Sequence, residues 1–131
     1  MLRLSREREE LRVVADQIGS PTWVQTLADV TFAAVDADAK LAVTDGIYHL
    51  TANGHTSWHG FAEAILAEIA DPRRTAKRVV PILTTDFPTP AKRPAFSVLS
   101  NQKIEFATKM TVPSWQQQLA GCAASYRSNQ G

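Results

Sequence analysis

The stretch RVVADQIGSPTW, residues 12–23, has the pattern of a strand that passes through a polar loop into a helix. Its paired valines favour an extended conformation, so we assign a short strand to residues 12–17. Gly19 then marks a turn, and Pro21 stiffens the backbone where the next helix begins. A strand that leads into a helix is the repeating unit of α/β proteins, and the stretch therefore indicates that class.

Helical periods extend from this stretch in both directions. Before it, residues 2–10 are predicted to be a poorly amphipathic helix. After it, apolar residues three and four apart predict a helix from Trp23 to about Asp38. The clearest period in the chain predicts another helix, which begins after the N-cap residue Ser57 and ends before Pro72.

The remaining elements complete the expected fold. Residues 47–50 and 78–83 are strand-like, and Pro81 in the second of these runs indicates an edge position. Helices are predicted at residues 101–107 and after the cap residue Ser114. The expected fold is therefore mixed α/β (α+β), with a small three-stranded, mainly parallel sheet and four to five helices.

The predicted core follows from the same periods. Nine apolar residues lie on the expected inner faces: Val13, Leu27, Val30, Ile47, Leu50, Phe61, Ile65, Ile69 and Val80. The single cysteine, Cys122, is interpreted as a small core residue on the last helix, and one cysteine excludes an internal disulfide.

Composition limits the class of protein. The 131 residues suffice for one domain, and 44% hydrophobic with 21% charged residues is an ordinary globular balance. A net charge of +1 gives no electrostatic case for nucleic acid or a membrane surface, and no apolar run could span a bilayer. The charged start, MLRLSREREEL, lacks the apolar segment of a secretory signal, so we expect a cytoplasmic protein.

Few motifs in the chain carry chemistry. It has no G-x-G-x-x-G, P-loop, C-x-x-C, H-E-x-x-H or G-x-S-x-G motif. His49, His55 and His59 cluster in sequence, but solvated or core-edge histidines are favoured over a metal site. We therefore predict no catalytic residue and no metal ligand.

Two polar loops remain as candidate sites. In the first, Asp16 and Gln17 end a strand before a helix, which is where α/β proteins bind ligands, although a plain turn and cap would look the same. In the second, the segment FPTPAKRPAFSVLSNQKI at 87–104, Arg93 follows Lys92 on a backbone stiffened by prolines. A guanidinium held there could bind phosphate bidentately, or the segment could be a solvated surface loop.

Long motifs in these loops resemble a known family. VVADQIGSPT, GIYHLTANGHTSWHGFAEAI and PTPAKRPAFSVLSNQKI, in this order and spacing, are similar to the C-terminal part of dTDP-4-dehydrorhamnose reductases. The start MLRLSREREELRVV and the tail VPSWQQQLA also match, so the resemblance covers about residues 1–122. In the closing helix, Gln116, Gln117 and Gln118 stand where the family commonly has acidic residues.

The resemblance implies an extended short-chain dehydrogenase/reductase. Such an enzyme reduces dTDP-4-dehydro-β-L-rhamnose to dTDP-β-L-rhamnose with NADPH or NADH, using a Rossmann half that carries a Tyr-x-x-x-Lys pair. This chain resembles only the half that binds the nucleotide-sugar. Tyr48 and Tyr126 are followed four residues later by Ala52 and Gln130, so no catalytic residue and no bound cofactor are expected in this chain alone.

The resemblance also implies roles for the loop residues. Arg93 would contact the diphosphate of a dTDP-sugar, with Lys92 adding a screened charge. Asp16 and Gln17 would face the same cleft from the other side, and Ser97 would lead back into the core.

Three kinds of protein fit these expectations. The chain could be part of a reductase, a non-catalytic module that binds dTDP-sugars, or an interaction module that associates with itself. The expected partners are a dTDP-sugar and either a second copy of the chain or a Rossmann domain.

Overall fold

The computed structural model describes residues 1–35 and 45–128. The helices are α1 (Leu2–Glu7), α2 (Val24–Val35), α3 (Trp58–Glu68), α4 (Gln102–Thr108) and α5 (Trp115–Ser128), and the strands are β1 (Glu10–Val14), β2 (Ile18–Gly19), β3 (Thr56–Ser57) and β4 (Arg78–Ile82). One 3-10 turn, Thr84–Asp86, follows β4. The predicted end of α2 near Asp38 lies outside the described residues. None of the described helices is long and apolar enough to cross a membrane.

The described strands form two small two-stranded sheets instead of the predicted three-stranded one, and the larger sheet is parallel as expected. Strands β1 and β4 pair in parallel over five residues each, from Glu10 opposite Arg78 to Val14 opposite Ile82. Strands β2 and β3 form a short antiparallel pair. The mixed α/β class with five helices is therefore confirmed. Pro81 lies on a strand that pairs on one side only within the described residues, as expected for an edge position.

The prediction of a strand at residues 47–50 is wrong. These residues form no strand, and Ile47 is 79% exposed. The Lys103 ammonium donates to the Ile47 carbonyl at 2.9 Å and lies 4.2 Å from the Tyr48 ring centre. A side chain of α4 therefore engages backbone that a strand would have offered to a neighbour. The antiparallel partner of β2 is instead Thr56–Ser57, immediately before α3.

The first strand and helix differ from prediction at their ends. Helix α1 stops at Glu7 because the following residues join the ladder, where the Lys77 amide donates to the Glu9 carbonyl at 2.8 Å. Strand β1 therefore begins at Glu10 and ends at Val14, before the segment that turns toward Thr84.

Alanines make up five of the eleven buried hydrophobic residues in the described part of the chain. Of the nine predicted core residues, Val30 is buried and Ile47 is exposed. The other seven are half-buried: Val13, Leu27, Leu50, Phe61, Ile65, Ile69 and Val80. Full burial falls instead on Leu11, Ala52, Ala62, Ala76, Ile82, Ile104, Ala107, Val112, Trp115 and Ala123. The elements thus approach closely at alanines, while several larger side chains line open clefts. Cys122 is half-buried at such an opening.

The buried Asn101 side chain holds the segment 51–53. Asn101 is 5% exposed, and its side-chain oxygen accepts from the Thr51 amide at 3.0 Å. Its side-chain nitrogen donates to the Thr51 carbonyl at 2.7 Å and to the Asn53 side chain at 2.8 Å. These bonds satisfy backbone groups that would otherwise be buried without partners.

One of the closing glutamines has a structural role. Gln118 is 3% exposed, accepts from the Trp23 amide at 2.9 Å and donates to the Pro113 carbonyl at 2.8 Å. It therefore joins the start of α2 to the start of α5. A carboxylate at this position would lack the donor that the Pro113 carbonyl uses.

Candidate functional site

The carboxyl ends of the parallel strands bring two segments together. The Asp16 carboxylate accepts from the Thr84 amide at 2.9 Å and from the Thr84 hydroxyl at 2.7 Å. The Gln17 side chain donates to the same hydroxyl at 3.0 Å. The Thr84 hydroxyl foremost, and then its amide, lower the pKa of Asp16, because these bonds favour the charged carboxylate. Asp16 is thus bonded to the segment that leads into residues 87–97, which we call the basic loop.

The far end of the basic loop is tied to β2. The Ile18 amide donates to the Ala95 carbonyl at 2.8 Å, and the Ser97 amide donates to the Ile18 carbonyl at 2.9 Å. The Ser97 hydroxyl donates to that carbonyl as well, at 3.2 Å. A Cβ at Gly19 would stand 3.0 Å from this hydroxyl, so the glycine permits the close approach. Ser97 therefore anchors the loop.

Between these anchors the basic segment is open to solvent. Lys92 and Arg93 are both exposed. Arg93 reaches a cleft of about 860 Å³ that Gln17 also lines, whereas Lys92 lies outside its lining. The remaining walls come from α1, β1, α3 and the start of the loop. The structure thus brings Arg93 and Gln17 to one cleft, with Asp16 and Ser97 holding the segments on either side.

A second, smaller cavity adjoins β2 and β3. Its volume is about 150 Å³, and hydroxyl side chains dominate its lining: Ser20, Thr51, Thr56, Ser57 and Ser97, with Gly19, Pro21 and Trp58. The Thr51 hydroxyl oxygen is buried and has no hydrogen-bond partner among the described residues. This cavity is polar on one side and aromatic on the other.

Trp58 was not among the residues expected at the site. It is 56% exposed and lines both the large cleft and the hydroxyl-lined cavity. The missed signal was its position directly after the N-cap Ser57. The first residue of a helix often lies beyond the part of the helix that neighbouring elements cover.

The histidines do not form a metal centre. The His59 ring lies 3.3 Å from the Glu63 carboxylate, one turn further along α3. It also lies 3.4 Å from the Val79 carbonyl, and this contact joins α3 to β4. No group of three potential ligands among His, Cys, Asp and Glu comes together in residues 1–35 and 45–128. The described clefts present a guanidinium, an amide, hydroxyls and an indole face, which are groups that can bind a polar ligand.

These features define a ligand-binding unit of mixed α/β architecture. The family model for the RmlD substrate binding domain matches residues 1–128, and the chain belongs to this family. The resemblance to dTDP-4-dehydrorhamnose reductases is thereby confirmed.

Individual relatives agree with the family. The chain is 45% identical to a dTDP-4-dehydrorhamnose reductase of Burkholderia thailandensis, over 93% of this chain and 44% of that protein. It is 40% identical to the Shigella flexneri reductase, over 88% of this chain and 40% of that protein. The chain therefore spans less than half the length of these curated relatives.

Solved structures of such reductases share the fold. A reductase from Clostridium acetobutylicum superposes with a TM-score of 0.82 at 32% identity, over 96% of this chain and 42% of that one. The reductase of Bacillus anthracis, solved in complex with NADP, has a TM-score of 0.77 at 33% identity, over 90% of this chain and 39% of that one. The expected nicotinamide cofactor is thus present in a solved relative.

Proposed function

We propose that this chain is the substrate-binding part of a dTDP-4-dehydrorhamnose reductase, with residues 1–131 acting as one domain. The enzyme would reduce dTDP-4-dehydro-β-L-rhamnose to dTDP-β-L-rhamnose in the synthesis of dTDP-L-rhamnose. The observation that supports this most directly is the convergence of Arg93 and Gln17 on one cleft from two separate loops. Both residues belong to motifs that the family resemblance covers.

Arg93 would bind the diphosphate. Within the described ranges no carboxylate pairs with it, so its guanidinium is available to a ligand. Pro90 and Pro94 restrict the backbone on both sides, which reduces the conformational entropy lost on binding. A planar guanidinium can form two parallel hydrogen bonds to phosphate oxygens, whereas the exposed ammonium of Lys92 acts as a point charge.

Asp16, Gln17 and Ser97 would support this contact. Asp16 acts through Thr84, because its carboxylate holds the start of the segment that carries Arg93. Gln17 lines the cleft while its side-chain nitrogen is bound to Thr84, which leaves its carbonyl oxygen to accept from a ligand. Ser97 fixes the other end of the loop.

The residues of this chain do not fit the cofactor chemistry. The chain has no Gly-rich phosphate turn, and neither tyrosine presents its hydroxyl to a lysine four residues later. Tyr48 has the Lys103 ammonium over its ring face, and Tyr126 interacts with Arg6. We therefore derive no hydride or proton transfer from this chain, and NADPH or NADH belongs to the longer enzyme.

A partner would complete the unit. Within the described residues, β1 and β4 each pair on one side only, and unpaired strand edges readily accept another strand. We propose that this edge associates with a Rossmann domain or, in its absence, with a second copy of the chain. Light scattering should show a mass that rises with concentration, and a monomeric mass over a wide concentration range would contradict this.

Calorimetric titration with dTDP tests the binding proposal. The wild-type chain should bind dTDP, and Arg93→Lys should weaken binding by roughly 10- to 150-fold although charge is kept, because a charge-assisted bond contributes about 1.5–3 kcal/mol. Lys92→Ala is the matched control and should change affinity much less. Equal losses would indicate a diffuse basic patch, and an unchanged affinity for Arg93→Lys would remove Arg93 from the site.

A further inference from the structure

Trp58 occupies a position that the roles described so far do not explain. It lines three cavities: the large cleft, the hydroxyl-lined cavity and a third of about 340 Å³ between α2, α3 and α5. Its side chain is 56% exposed, so burial in the core does not account for it. Aromatic side chains commonly line the pockets in which proteins bind small ligands.

The backbone holds the indole in place. Trp58 is the first residue of α3, and the Ser57 hydroxyl caps this helix by accepting from the Gly60 amide at 3.0 Å. Ser57 also pairs with Ile18 of β2, which is the strand that anchors the basic loop. The position of Trp58 is therefore coupled to that of the loop that carries Arg93.

The indole face has no other aromatic partner among the described residues. Ring contacts elsewhere join Phe61 to Trp115 and His55 to Phe96. Trp58 is instead flanked by the cleft that Arg93 and Gln17 line and by the hydroxyl-lined cavity. The flat apolar face of Trp58 and the guanidinium of Arg93 line the same cleft. This pair would suit a ligand that joins a flat ring to a phosphate.

We propose that the Trp58 indole is the surface on which the pyrimidine base of the bound nucleotide stacks. The inference rests on the proposed function, since it takes Arg93 as the contact to the diphosphate of the same ligand. The cleft of about 860 Å³ lies within the range of about 300–1,000 Å³ that is usual for sites of small ligands. The cavity of about 150 Å³ is too small for a whole nucleotide and leaves room beside the ring for one polar edge.

Iodide quenching of tryptophan fluorescence tests the proposal, first on the wild-type chain. Trp115 is only 9% exposed and Trp23 is half-buried, so Trp58, at 56% exposed, should supply the largest part of the fluorescence that iodide can quench. Saturating dTDP should lower the quenchable fraction, and Trp58→Phe should remove this protection because the reporter is gone. Unchanged quenching at saturating dTDP would overturn the proposal.

Affinity measurements add a second, independent readout. Trp58→Ala should weaken dTDP binding by roughly 5- to 150-fold, which is the effect expected for a base stacked on an aromatic ring. Trp58→Phe should retain most of the affinity, since it keeps a ring. Phe32→Ala is the matched control: Phe32 is 71% exposed on α2, lines none of the three cavities and should leave affinity unchanged.

The outcomes separate this proposal from the function on which it rests. If dTDP binds and responds to Arg93→Lys but not to Trp58→Ala, the stacking role is wrong and the nucleotide site stands. If the wild-type chain does not bind dTDP at any concentration tested, both the stacking role and the nucleotide site are wrong. Equal losses for Trp58→Ala and Trp58→Phe would also overturn stacking, because an aromatic ring would then be insufficient.

Discussion

The segment after β1 and the basic loop were both expected to bind ligand, but they differ in their internal hydrogen bonds. Asp16 and Gln17 are bonded to Thr84, and the pKa of Asp16 is lowered by these bonds. Residues 88–94 are exposed throughout, and the side chain of Arg93 has no partner within the described ranges. The first segment is bonded to Thr84, whereas the loop is bonded to β2 only at its far end, through Ala95 and Ser97, and its prolines restrict the exposed part.

This difference indicates which segment supports the candidate site and which one would contact the ligand. A carboxylate that already accepts two hydrogen bonds has little to offer a phosphate, and its negative charge would repel one. An exposed guanidinium on a restricted backbone can bind an anion without first breaking an internal bond. We therefore interpret the first segment mainly as the support of the site and the loop as its point of contact.

The largest expected effect is the absence of catalysis. In the proposed function one segment supports the site and the other contacts the ligand, and neither contains a proton donor paired with a cofactor site, so we expect the isolated chain to show no reductase activity. The assay follows oxidation of NADPH or NADH in the presence of dTDP-4-dehydro-β-L-rhamnose. Substrate-dependent oxidation by pure protein above a blank would show that the chain does more than bind.

Ile65→Ala probes the wall of α3 that faces both segments. Ile65 is half-buried and lines the large cleft, so truncation should lower the free energy of unfolding by roughly 2–5 kcal/mol, toward the lower end. A urea melt measures the change, with the exposed Glu63→Ala as its control. A loss below about 0.5 kcal/mol would mean that α3 is rotated relative to this description.

Ser57→Ala tests the support of α3 and of Trp58. Loss of the bond from the Gly60 amide should cost about 1 kcal/mol, which is typical of an N-cap. Ser125→Ala, at an exposed position of α5, is the matched control and should change stability little. If both variants unfold at the same urea concentration as wild type, the cap does not stabilise the helix.

Asp16→Asn tests the bonds to Thr84 through their pH dependence. Because folding lowers the pKa of Asp16, its contribution to stability is present above the unfolded pKa, about 3.9, and is lost as pH falls toward the lower folded pKa. Wild type should therefore be more stable than Asp16→Asn at pH 7, with the difference shrinking in acid. Urea melts at pH 7 and in acid measure the difference in the free energy of unfolding. Asp45→Asn, at an exposed position, is the control. A difference that does not change with pH would contradict the assignment.

Much of the local structure could be predicted from the sequence. Ser57 was expected to cap α3 and does so, and Ser114 caps α5 by accepting from the Gln117 amide at 3.3 Å. Pro81 was expected at a sheet edge, where it lies. These features depend on interactions within a few residues, which local spacing encodes directly.

Other features could not be read from local spacing. Residues 47–50 have the composition of a strand, but Lys103 binds their backbone from another element. Leu11 is the buried residue of β1, although Val13 was expected in the core, because the packing of α3 and β4 decides which side chains are covered.

The sequence by itself determined the α/β class, most helices, the family and the residue types of the candidate site. Only the tertiary structure decided that Asp16 is bonded to Thr84, that Arg93 and Gln17 share a cleft, and that Trp58 stands open beside it. The physical reason is that these arrangements join segments distant in the chain. Their geometry depends on how the helices and strands pack together, and no local pattern of residues records that packing.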